Sequence, residues 1–164
     1  GMVPHYTRMS PDELAQQWDA ITPKLFGYLV NVLHDRTLAE DVCQTTWLKA
    51  IEALPKYQAR GIKFSSWLFA IARNECRQYW RSGNREVPLD PETHDIPDQH
   101  TEKQQDSILI DQIMTKLSED DRDLLRLRYI ADLPMNDIAK ILTINLISVR
   151  VRIHRALKRA QHYV

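Results

Sequence analysis

Three helix-start signals constrain the fold of this chain more than any other feature of its sequence. Each has a hydroxyl residue at the N-cap position and an acidic residue three positions later. The three stretches are Ser10–Glu13, Thr37–Glu40 and Ser118–Asp121. This capping-box arrangement satisfies backbone amides that the first helical turn leaves unpaired. No stretch alternates apolar and polar residues as a half-buried strand does, so the sequence predicts an all-α fold.

Helical periodicity and helix breakers divide the chain into seven segments. Pro55 and Gly61 mark a break between the second and third helices, and Pro134 starts the sixth. The predicted helices are residues 11–33, 38–54, 65–82, 106–117, 119–131, 135–142 and 146–162.

A polar stretch, SGNREVPLDPETHDIPDQHTEKQQ, separates the first three helices from the last four. Because it has few apolar side chains to bury, burial cannot offset the entropy of ordering it. It predicts a flexible acidic linker between two small helical domains. The predicted divisions are a tail with a tag scar at 1–9, a first domain at 10–82, the linker at 83–105 and a second domain at 106–164.

Charge is distributed unevenly although the chain has 22 basic and 22 acidic residues. Residues 2–85 hold eleven Lys or Arg and eight Asp or Glu, residues 86–121 hold two and eleven, and residues 122–164 hold nine and three. Two basic segments therefore flank an acidic one. Such asymmetry indicates a polyanionic partner.

Other residue classes point away from metal, redox or membrane chemistry. The two cysteines, Cys43 and Cys76, form neither a disulfide framework nor a zinc-type spacing, and both are expected to be buried. No apolar run is long enough to span a membrane. We expect a soluble cytoplasmic protein with no membrane insertion, no metal, no cofactor and no catalytic residue.

The end of the chain has the proportions of a helix-turn-helix. MNDIAKIL and LISVRVRIHRALKRAQ are joined by TIN, and after Asp137 the chain has six Lys or Arg but no acidic residue. A second helix of this length fits the major groove of DNA. One face is predicted to be core, and the other carries Ile147, Ser148, Val151, His154, Arg155, Lys158 and Arg159. The alternative is a solvated basic helix, although such faces ordinarily mix both charges.

The second predicted helix has an apolar residue outside its core face. Ala39, Cys43, Trp47, Ala50, Ile51 and Leu54 are predicted to form the core face. Leu48 lies opposite them among polar neighbours, which include Asp41, Gln44, Thr45 and Glu52. An exposed leucine ringed by polar groups is a modest signal for a protein interface. A single stray surface leucine is an equally good explanation.

The third predicted helix carries a row of cations. Arg73, Arg77 and Arg81 repeat every four residues, a spacing that slightly destabilises a helix and so indicates a use other than folding. The preceding loop has aromatic and basic residues and a glycine, a combination suited to unpaired nucleic acid. Phe64 and Trp67 could instead be core residues, which is the favoured interpretation for Trp67.

These motifs resemble those of extracytoplasmic-function (ECF) sigma factors, within the sigma-70 family of RNA polymerase sigma factors. AEDVCQTTWLKAIEAL is similar to region 2.2, FSSWLFAIARNECRQYWR to regions 2.3 and 2.4, and LSEDDRDLLRLRYIADLPMNDIAKILTINLISVRVRIHRALKRAQ to region 4. The resemblance implies a factor that binds core RNA polymerase and directs promoter-specific initiation. It also implies a four-helix region 2 domain and a helix-turn-helix region 4 domain.

Binding roles follow from the resemblance by position. The polymerase clamp helices would contact Asp41, Gln44, Thr45, Leu48 and Glu52. The promoter −10 element, with its melted strand, would contact Arg60, Gly61, Lys63, Phe64, Ser65, Arg73, Asn74, Arg77, Gln78 and Arg81. The −35 duplex would contact Arg128, Ile147, Ser148, Arg150, Val151, His154, Arg155, Lys158 and Arg159, and the second domain would touch the polymerase flap. The resemblance also implies an anti-sigma factor as partner, and the free protein is expected to be a monomer.

Some positions depart from the family pattern. Thr45 and Trp47 replace a usual Glu and Phe, Thr143 and Ile147 stand where glycine is common, and Val151 stands where serine is common. The acidic linker either mimics nucleic acid or serves only as a tether. Two other hypotheses remain: a dimeric helix-turn-helix regulator, which would bind a palindromic site, and a metal-dependent enzyme, for which the chain has no recognisable motif.

Overall fold

The computed structural model describes residues 9–57, 61–83 and 112–162. It divides into two compact units, with the boundary between Leu89 and Asp90. The described residues are helical or irregular and form no strand, as predicted. The proposed linker lies outside the described residues except for Gly83, and so does the first half of the helix predicted at 106–117.

Apart from the helices predicted at 106–117 and 119–131, the helix bounds lie within two residues of the predictions. The N-terminal unit contains α1 (Pro11–Leu33), α2 (Arg36–Ala53), a 3₁₀ turn (Leu54–Lys56) and α3 (Phe64–Arg81). The C-terminal unit contains α4 (Glu119–Leu125), a π-helical turn (Arg126–Ile130), α5 (Met135–Leu142) and α6 (Leu146–Gln161).

Side-chain caps mark where α1 and α2 begin. At α1, Ser10 Oγ accepts from Glu13 N at 3.1 Å and Glu13 Oε2 accepts from Ser10 N at 3.4 Å, which completes the predicted capping box. The predicted cap at Thr37 is wrong, because α2 begins at Arg36 and Asp35 Oδ1 accepts from Leu38 N at 3.1 Å. A carboxylate caps as well as a hydroxyl and also favours the positive end of the helix dipole.

In the N-terminal unit, α1, α2 and α3 pack around one core. Leu25, Leu29, Leu68 and Phe69 are fully buried in it. Trp47 is 1% exposed, and its Nε1 donates to Thr22 Oγ1 at 3.1 Å, so the indole is both buried and hydrogen-bonded. This tryptophan therefore links α2 to α1.

The C-terminal unit differs from its prediction at the end of α4. A continuous helix was expected over 119–131, but the turn at Arg126–Ile130 is π-helical and Ala131 N donates to Arg126 O at 2.9 Å. Within this wider turn both Arg126 and Leu127 are buried. The Arg126 guanidinium, at 2.9 Å from Glu119 Oε1, is paired rather than isolated in the core.

The turn between α5 and α6 holds a threonine in a left-handed conformation. Thr143 has φ 57°, and Ile144 N donates to Ala139 O at 3.0 Å, which closes the end of α5. Asn145 then caps α6 by accepting from Ser148 N at 2.7 Å. The two helices of the predicted helix-turn-helix are thus joined by a short, hydrogen-bonded turn.

Thr143→Gly is expected to raise the free energy of unfolding of the C-terminal unit by about 0.5 to 1 kcal/mol. Relief of left-handed strain at a branched residue is worth about 1 to 2 kcal/mol and exceeds the entropic cost of glycine, about 0.5 to 1 kcal/mol. Urea unfolding measures the change. Lys140→Gly, in the right-handed α5, is the control and should instead lower stability; a loss of stability with Thr143→Gly would contradict the strain argument.

Candidate functional site

The outward face of α6 combines apolar and cationic side chains. Its buried stripe is Val149, Ile153 and Ala156. At about 100° per residue, Ile147, Val151, His154 and Lys158 lie opposite that stripe, with Arg150 and Arg155 on either side. Ile147 is 72% exposed and Val151 is 40% exposed. The residues predicted from the sequence for this face are therefore brought together, with Ser148 half-buried beside them.

Cations on α6 differ in what they contact. Within the described residues, the side chains of Arg150, Arg155 and Lys158 make no ion pair, and all three are exposed. Arg159, in contrast, donates from Nη1 to Asp121 Oδ2 at 2.6 Å. Arg159 therefore joins α6 to α4, a pairing that the sequence prediction did not include because it considered α6 alone.

A small open cavity lies where α6 meets the start of α4. Its lining comprises Ser118, Asp120, Asp121, Arg152, Arg155 and Arg159. Acidic side chains on one wall face basic side chains on the other, and the ion pair between Arg159 and Asp121 joins the two helices there. Arg152, which was absent from the predicted set, belongs to this contact edge of α6.

Arg128 does not present a free guanidinium. Its Nη1 donates to Leu133 O at 3.0 Å, and its guanidinium carbon lies 6.0 Å from the centre of the Tyr129 ring. Its Nε is buried and has no hydrogen-bond partner among the described residues. The side chain thus braces the loop after the π turn, which leaves little of it for the predicted phosphate contact.

The exposed side of α3 carries the predicted cation row. Asn74, Arg77, Gln78 and Arg81 are exposed on the side of the helix opposite Ala72. Arg73 is half-buried at the edge of this group and already has an interaction within the protein. The structure therefore groups four of the five predicted residues on one open surface.

Aromatic rings pack together around the first turn of α3. Phe64 is 7% exposed, and its ring centre lies 6.1 Å from Trp47, 5.7 Å from Tyr57 and 5.7 Å from Trp67. Phe64 is thus a core residue and offers no open ring face for a base. Trp67 is only half-buried and lies on the same side of α3 as Asn74, so the favoured core interpretation accounts for only part of its surface.

The loop before α3 is only partly described. Arg60 lies outside the described residues. Gly61 has φ 78°, a conformation that favours glycine, and Tyr57 donates its hydroxyl to Ile62 O at 3.1 Å across the loop. Lys63 is exposed and Ser65 is half-buried in the first turn of α3.

On α2 the predicted polymerase-facing residues share one surface. Leu48 is 63% exposed at its centre, and Asp41, Gln44, Thr45 and Glu52 surround it. Ile51 was predicted to be core but is 46% exposed. The buried stripe is centred on Ala39, Thr46 and Ala50, because α1 and α3 both pack there, and Ile51 is rotated from it toward Leu48.

Comparison with known proteins identifies the family of this chain. The model of Sigma-70 region 2 matches residues 18–86, and that of Sigma-70, region 4 matches residues 107–159. The ECF RNA polymerase sigma factor ShbA of Streptomyces griseus is 31% identical over 134 residues, which cover 76% of this chain and 70% of the relative. The chain belongs to the sigma-70 family. It is an ECF sigma factor and functions in transcription initiation.

Two further similarities are consistent with this assignment. RNA polymerase sigma factor YlaC of Bacillus subtilis is 26% identical to this sigma factor over 141 residues, which cover 81% of each chain. The fold is similar to that of the sigma factor RpoE in complex with the anti-sigma factor NepR from Bartonella quintana, with a TM-score of 0.71 and 23% identity. That similarity covers 92% of this sigma factor and 96% of RpoE.

Remaining features of this sigma factor concern its chemistry. Cys43 and Cys76 are both buried, and burial raises the pKa of the Cys43 thiol. Among the described residues, no group of three or more His, Cys, Asp or Glu side chains is placed to hold a metal ion. Nor does any helix in those ranges have the length and apolar character needed to cross a membrane.

Proposed function

We propose that this sigma factor directs promoter-specific initiation by using α6 to read the −35 duplex, α3 to hold the melted −10 strand and α2 to bind the polymerase clamp. The outward face of α6 is the observation that supports this most strongly. It has exposed arginines without ion pairs among the described residues, and no acidic residue follows Asp137. A helix of this kind suits the anionic major groove.

Binding to the −10 strand rests on the open surface of α3. Asn74, Arg77, Gln78 and Arg81 can contact phosphates and the edges of unstacked bases. Phe64 is left out of this set because it is buried, whereas half-exposed Trp67 is added to it. The α6 set retains Ile147, Ser148, Arg150, Val151, His154, Arg155 and Lys158, and leaves Arg128 and Arg159 in bracing roles.

Transcription in vitro tests the proposal as a whole. Bacterial core polymerase plus the full chain should initiate at promoters selected from a random library, with no other sigma factor present. Protection of one DNA segment by α6 and of another, melted segment by α3 would match the proposed division of roles. Symmetric footprints from a dimer without polymerase would instead favour a stand-alone regulator.

Leu48→Ala is expected to weaken binding to core polymerase about 30-fold, which corresponds to the roughly 2 kcal/mol typical of a buried interface anchor. The side chain is exposed, so its loss should leave the fold unchanged. Titration of labelled chain with core polymerase measures the effect.

Lys49→Ala is the matched control for that variant, because Lys49 is the next residue on α2 but faces α3, where it pairs with Glu75. A partly exposed ion pair contributes little and this one lies away from Leu48, so this variant should bind nearly as tightly as the unchanged chain. Equal losses for both variants would contradict the assignment of Leu48.

We further propose that an anti-sigma factor binds this chain. The similarity in fold to RpoE, seen in complex with the anti-sigma factor NepR, supports this. Such a partner should compete with core polymerase for the surface around Leu48. A purified candidate that binds equally well in the presence of saturating core polymerase would not be that partner.

A further inference from the structure

Two large apolar side chains point outward from the same side of α6. Ile147 is 72% exposed and Val151 is 40% exposed, whereas the buried stripe of the helix is on the other side. They are four residues apart, so they are neighbours on the surface of the helix. Exposure of two branched apolar residues side by side is unfavourable in water. Such a pair therefore indicates a surface that binds a partner.

Their surroundings favour a nucleic-acid partner over an apolar protein surface. Lys158 and His154 continue the same side of α6, and Arg150 and Arg155 flank it. These side chains make no ion pair within the described residues, and an apolar protein surface would leave such cations without a partner. A DNA groove supplies phosphates for the cations and apolar groups on the bases between them.

We propose that Ile147 and Val151 read thymine by packing against its C5-methyl group in the major groove. The inference rests on the proposed insertion of α6 into duplex DNA and adds the chemical group that the helix recognises. Thymine is the base that presents a methyl group in that groove, so apolar contact there discriminates among bases without hydrogen bonds.

Helix geometry sets the spacing of the thymines. Residues four apart differ by about 6 Å along a helix axis, since the rise is about 1.5 Å per residue. Base pairs are stacked about 3.4 Å apart, so the two methyl groups should belong to base pairs one or two steps apart. The −35 element of this sigma factor therefore contains two closely spaced thymines, on the same strand or on opposite strands.

Removal of the methyl groups is the direct test. Duplexes that bind the holoenzyme of full chain and core polymerase are first selected from a random library, and each thymine of the enriched element is then replaced by deoxyuridine. Uracil pairs as thymine does but lacks the methyl group. Affinity should fall about fourfold for each contacted methyl and about fifteenfold for two, as the burial of one methyl-sized group predicts.

Variants connect that loss to the two side chains. With Ile147→Ser or Val151→Ser the corresponding thymine and uracil duplexes should bind equally well, because the apolar partner of the methyl group is gone. Leu157→Ser is the matched control, since Leu157 is a 38% exposed apolar residue farther along α6, and it should keep the full preference for thymine. Circular dichroism confirms that each variant remains helical.

The outcomes separate this inference from the proposed function. An enriched element that binds equally with thymine or uracil at every position would overturn the methyl-reading role alone. So would serine variants that lose affinity but keep the preference for thymine. Failure to enrich any duplex element with the holoenzyme would overturn the proposed −35 reading, and this inference with it.

Discussion

Trp47→Ala is expected to lower the free energy of unfolding of the N-terminal unit by about 3 to 5 kcal/mol. The side chain is 1% exposed, and its truncation would leave a cavity between α1 and α2. It would also remove the donor to Thr22 Oγ1 and the ring contacts to Trp18 at 4.7 Å and Phe64 at 6.1 Å. Such a loss is a large fraction of the stability of a small domain, so binding by α2 should fail as well.

Trp18→Ala is the matched control, because this tryptophan packs on Trp47 but is 42% exposed. We expect a loss of about 1 to 2 kcal/mol, made up of one aromatic pair and partial burial. Urea unfolding followed by far-ultraviolet circular dichroism measures both variants without dependence on indole fluorescence. Equal losses would mean that Trp47 is no more important to the core than its exposed neighbour.

Arg155→Ala is expected to weaken duplex binding by about 1 to 3 kcal/mol, or about 5- to 150-fold. This arginine is exposed on α6 and has no ion pair among the described residues, so its charge is available to DNA. A loss confined to one base pair of the selected element would indicate a base contact. An equal loss of affinity for all sequences would indicate a phosphate contact. The slope of log affinity against log salt concentration should then correspond to about one fewer released counterion.

Arg159→Ala serves as the comparison for that variant. Its guanidinium pairs with Asp121 Oδ2 at 2.6 Å, so contact with DNA would first require separation from the carboxylate. We expect less than about fivefold weakening of duplex binding, because only a partly exposed ion pair is lost. A larger effect from Arg159 than from Arg155, measured with the holoenzyme by fluorescence anisotropy, would reverse their assigned roles.

The sequence predicted the start of a helix correctly where only one residue was suitable as its N-cap. Both ends of α1 were predicted correctly, since Ser10 and Pro11 leave one choice for its start. At α2, Asp35 and Thr37 were both suitable caps, and the sequence alone favoured the wrong one. The π turn at Arg126–Ile130 was missed because its apolar spacing is the same as that of an α-helix.

The grouping of the candidate site residues was predictable as far as it depends on a single helix. Helical periodicity predicted that Ile147, Val151 and Arg155 lie on one side of α6, and the structure places them there. It could not indicate that Arg159 meets Asp121, because that pairing depends on how α4 packs against α6. Nor could it place Ile51 outside the core, since the centre of the buried stripe on α2 is set by two neighbouring helices.

Both cysteines of the chain lie in the N-terminal unit, buried in α2 and α3. The thiolate is the form of cysteine that attacks an alkylating reagent, and the raised pKa of Cys43 keeps that form scarce near neutral pH. Alkylation therefore requires local opening of the helices around these thiols. Its rate measures how often the N-terminal unit opens. Cysteine alkylation of the unmodified chain thus measures the opening of the N-terminal unit and does not respond to opening of the C-terminal unit.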